Sequence, residues 1–162
     1  MSAQAEATLD ALAAKLSADL PAKLAAINAE ITDGFTLEDP NLITVGVRDN
    51  HDYPIIFVIP EETETETDRA GGMIWRHRIR VCSFVAEWDE TGLVRKVLRY
   101  QRAVREVCLS GRDPGTGGGF GINHERDEYG PVFQPTEDGQ AQAQFVQGAA
   151  SLFTVRQLQD LA

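Results

Sequence analysis

The sequence predicts an α+β domain in which an antiparallel sheet of four to five strands carries an N-terminal helix and a second helix packed on one face. Three observations predict it. Apolar residues recur every three or four positions from Leu9 to Ile31 and again from Leu93 to Val107, the period of a helix. Between and after those stretches the period falls to two, the mark of strands. Glycine and proline clusters punctuate the order helix, three strands, helix, two strands, within a single domain spanning residues 1–162.

Leu9, Leu12, Leu16, Leu20, Leu24, Ile27 and Ile31 are spaced by 3, 4, 4, 4, 3 and 4. At 100° per residue that run drifts by only about 40° from end to end, so it forms one apolar stripe of an amphipathic helix. Pro21 falls inside the stripe, where it removes a backbone donor and crowds the preceding turn, yet the phase persists on both sides. The expectation is either a kinked helix or two abutting helices, the second capped by Asp19. Asp33 and Gly34 stop the element.

From Asn41, residues Ile43, Val45 and Val47 alternate with Thr44, Gly46 and Arg48, and Asp49 to Asp52 supply turn chemistry before the run Tyr53 to Ile59. These two runs are expected to pair as a hairpin, with Pro60 closing the second strand. Glu61 to Asp68 alternates acid with threonine, too charged for a core but able to extend as a hairpin arm before Gly71-Gly72. Met73 to Trp88 is the longest strand. Trp75, His77, Ile79 and Val81 share one side of it, and Arg76, Arg78 and Arg80 share the other. Near Cys82 to Phe84 apolar residues fall on both sides, so this half is either covered on both faces or bulged.

Asp89 or Thr91 caps a second helix carried by Leu93, Val94, Val97, Leu98, Gln101, Val104 and Val107, with Arg95, Lys96, Arg99, Arg102 and Arg105 on its other face. It stops at Ser110-Gly111. Arg112 to Gly121 holds one proline and five glycines and reads as a mobile connection. Two closing strands follow, around Phe120 to Val132 and around Ala141 to Val155. No internal repeat or low-complexity tail occurs.

With 43% apolar residues among 162, the chain can bury one sizeable core. Fifteen basic against 25 acidic residues give a formal charge of -10, the reverse of a phosphate-binding footprint, so direct nucleic-acid binding is not expected. The longest strictly apolar runs, such as Ile55 to Ile59, are far short of the roughly 20 residues that span a bilayer, and Met1 to Asp10 lacks the basic, apolar pattern of a secretory leader. A cytosolic origin without a membrane is the expectation. Cys82 and Cys108, 26 residues apart with no C-x-x-C partner, read as buried thiols.

No nucleophile elbow of the G-x-S-x-G type occurs. His51, His77 and His124 lack a second ligand at metal-binding spacing and read as structural or surface residues. The cluster Gly115 to Gly121 lacks the lysine and hydroxyl residue of a phosphate loop and follows a helix, not a strand. Glu125 and Asp127, same-side neighbours on a strand, read either as an acid–base pair or as a solvated face. No catalytic residue, cofactor or metal is assigned, and no enzyme activity is expected.

Charge separation stands out instead. Eight of the fifteen basic residues fall between Arg76 and Arg105, just after the acidic block, so one molecule carries both halves of a complementary contact. The block either folds back onto its own strand or reaches a neighbouring copy. The subunit interface is therefore assigned to Glu61, Glu62, Glu64, Glu66, Asp68, Arg76, Arg78 and Arg80, in a head-to-tail contact that closes a ring or extends a filament.

The order of a long N-terminal helix (Leu9 to Ile31), a hairpin (Ile43 to Ile59), an acidic extended segment, a long strand ending in an aromatic before an acidic helix start (Phe84 to Glu90), a helix (Leu93 to Leu109), a glycine-rich break and two closing strands resembles the small tail terminator and neck (tail-completion) proteins of long-tailed bacteriophages. It covers nearly the whole chain and rests on architecture and length. The resemblance implies a virion structural protein without an active site, made in the host cytoplasm and placed at the head–tail junction. It also implies a homo-oligomeric ring, a hexamer, that caps the tail tube, with the tail tube protein and the head connector protein as partners. The rival class is a small α+β enzyme or ligand-binding domain whose pocket lies between the sheet and the helices.

Overall fold

The computed structural model describes residues 3–49, 52–67, 69–110, 121–137, 139–141 and 144–158. Helix α1 (Ala3–Glu30) is followed by β1 (Leu42–Val45), β2 (Ile55–Thr67), β3 (Met73–Glu87), α2 (Glu90–Leu109), β4 (Ile122–Phe133), the short pair β5 (Thr136–Glu137) and β6 (Gln140–Ala141), and β7 (Phe145–Leu158). One sheet has the order β1-β2-β3-β7-β4, and β5 and β6 pair apart from it. The segment Arg112 to Gly121, read as a mobile connection, lies outside the described residues except for Gly121.

Helix α1 runs unbroken through Pro21, so the expected pair of abutting helices does not form and Asp19 lies within the helix. The missing proline N–H leaves one carbonyl four residues earlier, at Ser17, without its helical donor. Ser17 is exposed, so the missing donor falls on the solvent side of the helix and not in the core. The stripe from Leu9 to Ile27 is buried throughout. Each such side chain contributes about 1.5–3 kcal/mol of apolar burial, which is what holds a proline-containing helix together. After the helix, Asn28 clamps the returning chain: its Oδ1 accepts from Leu37 N at 2.8 Å and its Nδ2 donates to Leu37 O at 2.9 Å.

The expected hairpin of β1 with β2 is absent, because the two strands are parallel, with Leu42 opposite Ile55 and Val45 opposite Val58. Alternation reports which face a residue takes and is silent on strand direction. The short β1 spans about 13 Å, a distance the following residues easily retrace, so the chain returns to re-enter beside its own start. Asn41 fixes that return, its Nδ2 donating to Asp52 O at 3.2 Å and to Tyr53 O at 2.9 Å while its N–H bonds Pro54 O at 2.8 Å. The sheet is thus mixed, antiparallel everywhere else.

Pro60 does not close β2. The strand continues through the acidic block to Thr67, paired with β3, and takes up a bulge between Pro60 and Glu62. Since β1 stops opposite Val58, Pro60 lies where the outer edge of β2 is open and its missing donor costs no ladder bond. The threonine-rich block extends as an arm, as expected, and Gly71 turns it with φ 84.

Helix α1 lies over β1 and β2, and α2 over β3, β7 and β4, all on one side of the sheet. Leu12, Leu16, Ile79, Val81, Val97 and Phe153 fill the space between them. Asp89 caps α2, its Oδ2 accepting from Gly92 N at 2.9 Å, and Ser110 ends it by bonding Val107 O through both N–H and hydroxyl. Val94 and Leu98, read as core positions, are 47% and 51% exposed. At 100° per residue they stand about 80° and 120° from Val104, and the buried arc runs the other way, through Tyr100 and Ala103.

Candidate functional site on the helix-free face of the sheet

The residues on β3 alternate between the core and the open face, which puts Arg76, Arg78 and Arg80 on the side that no helix covers. Their partners come from the same chain. Arg76 binds Glu64 and, at 3.3 Å, Glu66. Arg78 reaches Glu62 at 3.1 Å on β2 and, spanning β7, Glu125 at 2.8 Å on β4. Arg80 repeats the pattern with Glu61 at 3.2 Å and Glu128 at 3.0 Å. Arg156 on β7 holds Glu66 at 2.6 Å, and Arg126 holds Glu128 at 2.9 Å. Six carboxylates and five guanidiniums thus form a mesh across four strands. The structure brings together seven of the eight sequence-assigned interface residues, within one chain; Asp68 lies outside the described residues.

The mesh shifts the groups it holds. Hydrogen bonds from Arg78 and Thr154 pull the Glu125 carboxyl down to about 2, and Glu125 with Glu62 in turn raises the Arg78 guanidinium further above its usual range. Glu128 is lowered by its bond from Arg126. Each exposed pair contributes little on its own. Together they tie acid-bearing β2 and β4 to the arginines of β3 and leave a face close to neutral.

Toward the other end of the same face the residues turn apolar. Cys82, Phe84, Tyr129, Phe133 and the backbone of Gly148 line a depression of about 280 Å³, with Arg80 and Glu128 on its rim. A second depression of about 140 Å³ shares Phe84 and Phe133 with it and adds Phe57, Tyr53 and Arg48, so the two form one trough. Phe57 and Phe84 meet edge to face, with ring centroids 5.9 Å apart. Neither expectation for Cys82 to Phe84 is met: the strand pairs with β7 without a register shift, so it is not bulged, and no described element covers its open face, where Cys82 and Phe84 line the trough. Its floor is narrow by necessity, since a Cβ on Gly148 would lie 2.6 Å from the Phe84 ring. Tyr129 is 50% exposed, and Val132 and Phe133 are also open to solvent. Reading the sequence by periodicity missed this trough, because its residues come from four strands and the β4 register slips twice, between His124 and Arg126 and between Tyr129 and Val132.

The same slip separates Glu125 from Asp127. The bulge changes the parity of β4, so Glu125 joins the mesh while Asp127 turns to the helix side, where it accepts from Arg105 Nη1 at 2.6 Å, His124 Nε2 at 2.8 Å and Ser151 Oγ at 2.6 Å. The two carboxylates therefore do not form an acid–base pair. Ser151 also meets the side-chain amide of buried Gln101. The amide oxygen of Gln101 and Asp127 Oδ1 thus both face the single hydroxyl hydrogen of Ser151.

His77 is buried, 2% exposed, between α1 and the sheet. Its Nε2 donates to Gln157 Oε1 at 3.1 Å, which also accepts from Thr8 Oγ1 at 3.0 Å, and its Nδ1 accepts from Thr63 Oγ1 at 3.2 Å. Burial lowers its pKa below 6.5, so the ring is a neutral clamp between α1, β2 and β7. Cys82 and Cys108 are free thiols; burial raises both, Cys108 to about 12. His51 lies outside the described residues. Among the described residues no cluster of three or more His, Cys, Asp or Glu is placed to hold a metal ion, and no helix is long and apolar enough to cross a membrane.

A comparison with protein-family models finds no match, and a comparison with curated proteins finds none either. Among solved structures, the chain is similar to one from the virion of a native gene transfer agent particle, at 11% identity and a TM-score of 0.43, over 71% of this chain and 78% of that one.

Proposed function

We propose that this chain is a virion structural subunit, a ring-forming tail terminator that caps the tail tube and contributes to the head–tail junction through shape and charge, without catalysis. Its order of elements, which resembles the tail terminator and neck proteins, supports the reading. The observation that carries it is the uncovered aromatic trough on a sheet face otherwise sealed by ion pairs: exposed contiguous apolar surface marks a place where another macromolecule binds. The rival reading needs a pocket between the sheet and the helices. Leu12, Leu16, Ile79 and Val81 occupy that space and are at most 1% exposed.

Solution mass tests the proposal. The assembled form is expected at several times 17.8 kDa, as a closed ring in electron micrographs, and to co-sediment with tail tubes. A chain that stays monomeric at high concentration and ignores tail tubes overturns the proposal.

A further inference from the structure

Trp88 is the largest exposed apolar side chain outside the trough, 65% accessible, in the turn between β3 and the cap of α2. It does not fill the trough of its own chain. The next two turns of the same helix add half-exposed Val94 and Leu98, so the chain carries a protruding apolar element and a recessed one at separate places. Their chemistry matches. Tryptophan is the side chain most often found as an interface anchor, and a depression of about 280 Å³ with aromatic walls and a glycine floor accepts one. On the rim, the Arg80 guanidinium offers its charge to an indole face and the Glu128 carboxylate offers an acceptor for the indole N–H.

The charges beside the two elements are complementary as well. Trp88 is followed by Asp89 and Glu90, and Glu90 is exposed with no ion pair shown among the described residues. Arg48, on the rim of the adjoining depression, is likewise exposed with no ion pair shown among them, whereas every other described arginine except Arg69 is held by a carboxylate of its own chain. An acidic turn carrying a tryptophan thus has a counterpart in an aromatic trough whose lining offers the Arg48 guanidinium, beside Asp49, at one end and Arg80, beside Glu128, at the other.

Resting on the ring reading above, we infer that Trp88 of one copy seats in the Phe84–Tyr129–Phe133 trough of the next, with Glu90 meeting Arg48 across the contact. This assigns the subunit contact to Trp88 and the trough and leaves the arginine mesh as a stiffener of each sheet. In a ring each copy gives Trp88 to one neighbour and its trough to the other, a heterologous contact, whereas a reciprocal exchange between two copies would close a dimer.

The experiment is sedimentation velocity of the full chain from micromolar to millimolar concentration. Trp88→Ala and Tyr129→Lys are each expected to raise the concentration needed for assembly by roughly 30-fold or more, with unchanged far-ultraviolet circular dichroism, because both side chains are at least half exposed. Arg48→Glu and Glu90→Arg each weaken assembly several-fold, and the two together restore it. A parent that assembles while all four variants follow it overturns the inference and leaves the ring reading standing. Assembly that stops at a dimer but still depends on Trp88 keeps the contact and removes the ring. A parent that never associates overturns the inference, and tail-tube co-sedimentation then decides the ring reading by itself.

Discussion

Replacing Pro21 with alanine is expected to stabilise the protein. Pro21 lies well inside the 28 residues of α1, where a proline costs about 3 kcal/mol relative to alanine through its missing N–H and its clash with the preceding turn. Part of that cost is already absent here. Ser17, whose carbonyl loses its donor, lies on the exposed side of the helix, and proline also stiffens the unfolded chain, an effect worth about 0.4–1 kcal/mol that alanine gives up. A net gain of about 1–2 kcal/mol remains, or roughly 2–8 °C in Tm for a domain of this size. Neither Leu20 nor Leu24, which flank Pro21 on the buried stripe, needs to move, because the stripe keeps its phase through the proline. Urea unfolding followed by circular dichroism measures the difference, with Ser17→Ala as an exposed control. A destabilised Pro21→Ala variant refutes the reasoning: the proline would then shape the helix to its sheet, and its bend would be worth more than the lost hydrogen bond.

Three further outcomes follow from the core and the trough. Burial holds His77 neutral with its pKa below 6.5, so the unfolded chain binds more protons in the window beneath 6.5; stability is full above it and declines as pH falls toward the folded value. The midpoint of urea unfolding between pH 5 and 8 is expected to show that decline more steeply in the parent than in His77→Gln, and parallel profiles would rule the linkage out. Lys96 is buried against Glu87 at 2.6 Å. Lys96→Met is expected to cost about 1–3 kcal/mol by stranding that carboxylate, and adding Glu87→Gln to recover most of it, as read from a double-mutant cycle in urea. Gly148→Ala drives a methyl against the Phe84 ring, so a loss of about 1–3 kcal/mol together with weakened assembly is expected, and an unchanged Tm would refute the close approach.

Where one period dominates, the sequence was readable. The leucine stripe of α1, the single-sided arginines of β3 and the Asp89 cap of α2 each follow from local spacing, and the structure places all three as read. What spacing does not carry is direction and slip. Residues Ile43 to Val47 alternate equally well for a hairpin or a parallel pair, and only the return of the chain at Asn41 chooses the second. Pro60 reads as a stop until it is known that the edge of β2 is open there. The bulges of β4 are invisible in the sequence, yet they alone send Glu125 and Asp127 to opposite faces and help to line the trough.

The arginine mesh shows how far a charge pattern reaches. Complementary blocks in one sequence are satisfied equally by a neighbour or by the chain itself, and proximity decides between them. The acidic block and β3 are joined by one tight turn and run antiparallel, so Glu62 faces Arg78 and Glu64 faces Arg76 in the register of a single hairpin. That arrangement forms at the effective concentration of a short loop, which a second molecule does not approach at ordinary protein concentrations. A neighbour that exchanged these pairs for its own would gain no net ion pair, and it would have to order long side chains again. Surfaces that remain available to a partner are therefore those the chain leaves open: an exposed indole in the turn before α2, and an aromatic trough that this indole does not line. In the proposed contact, specificity between copies would reside in the shape of a groove floored by Gly148, while the charges that dominate the sequence tie together the strands that line it.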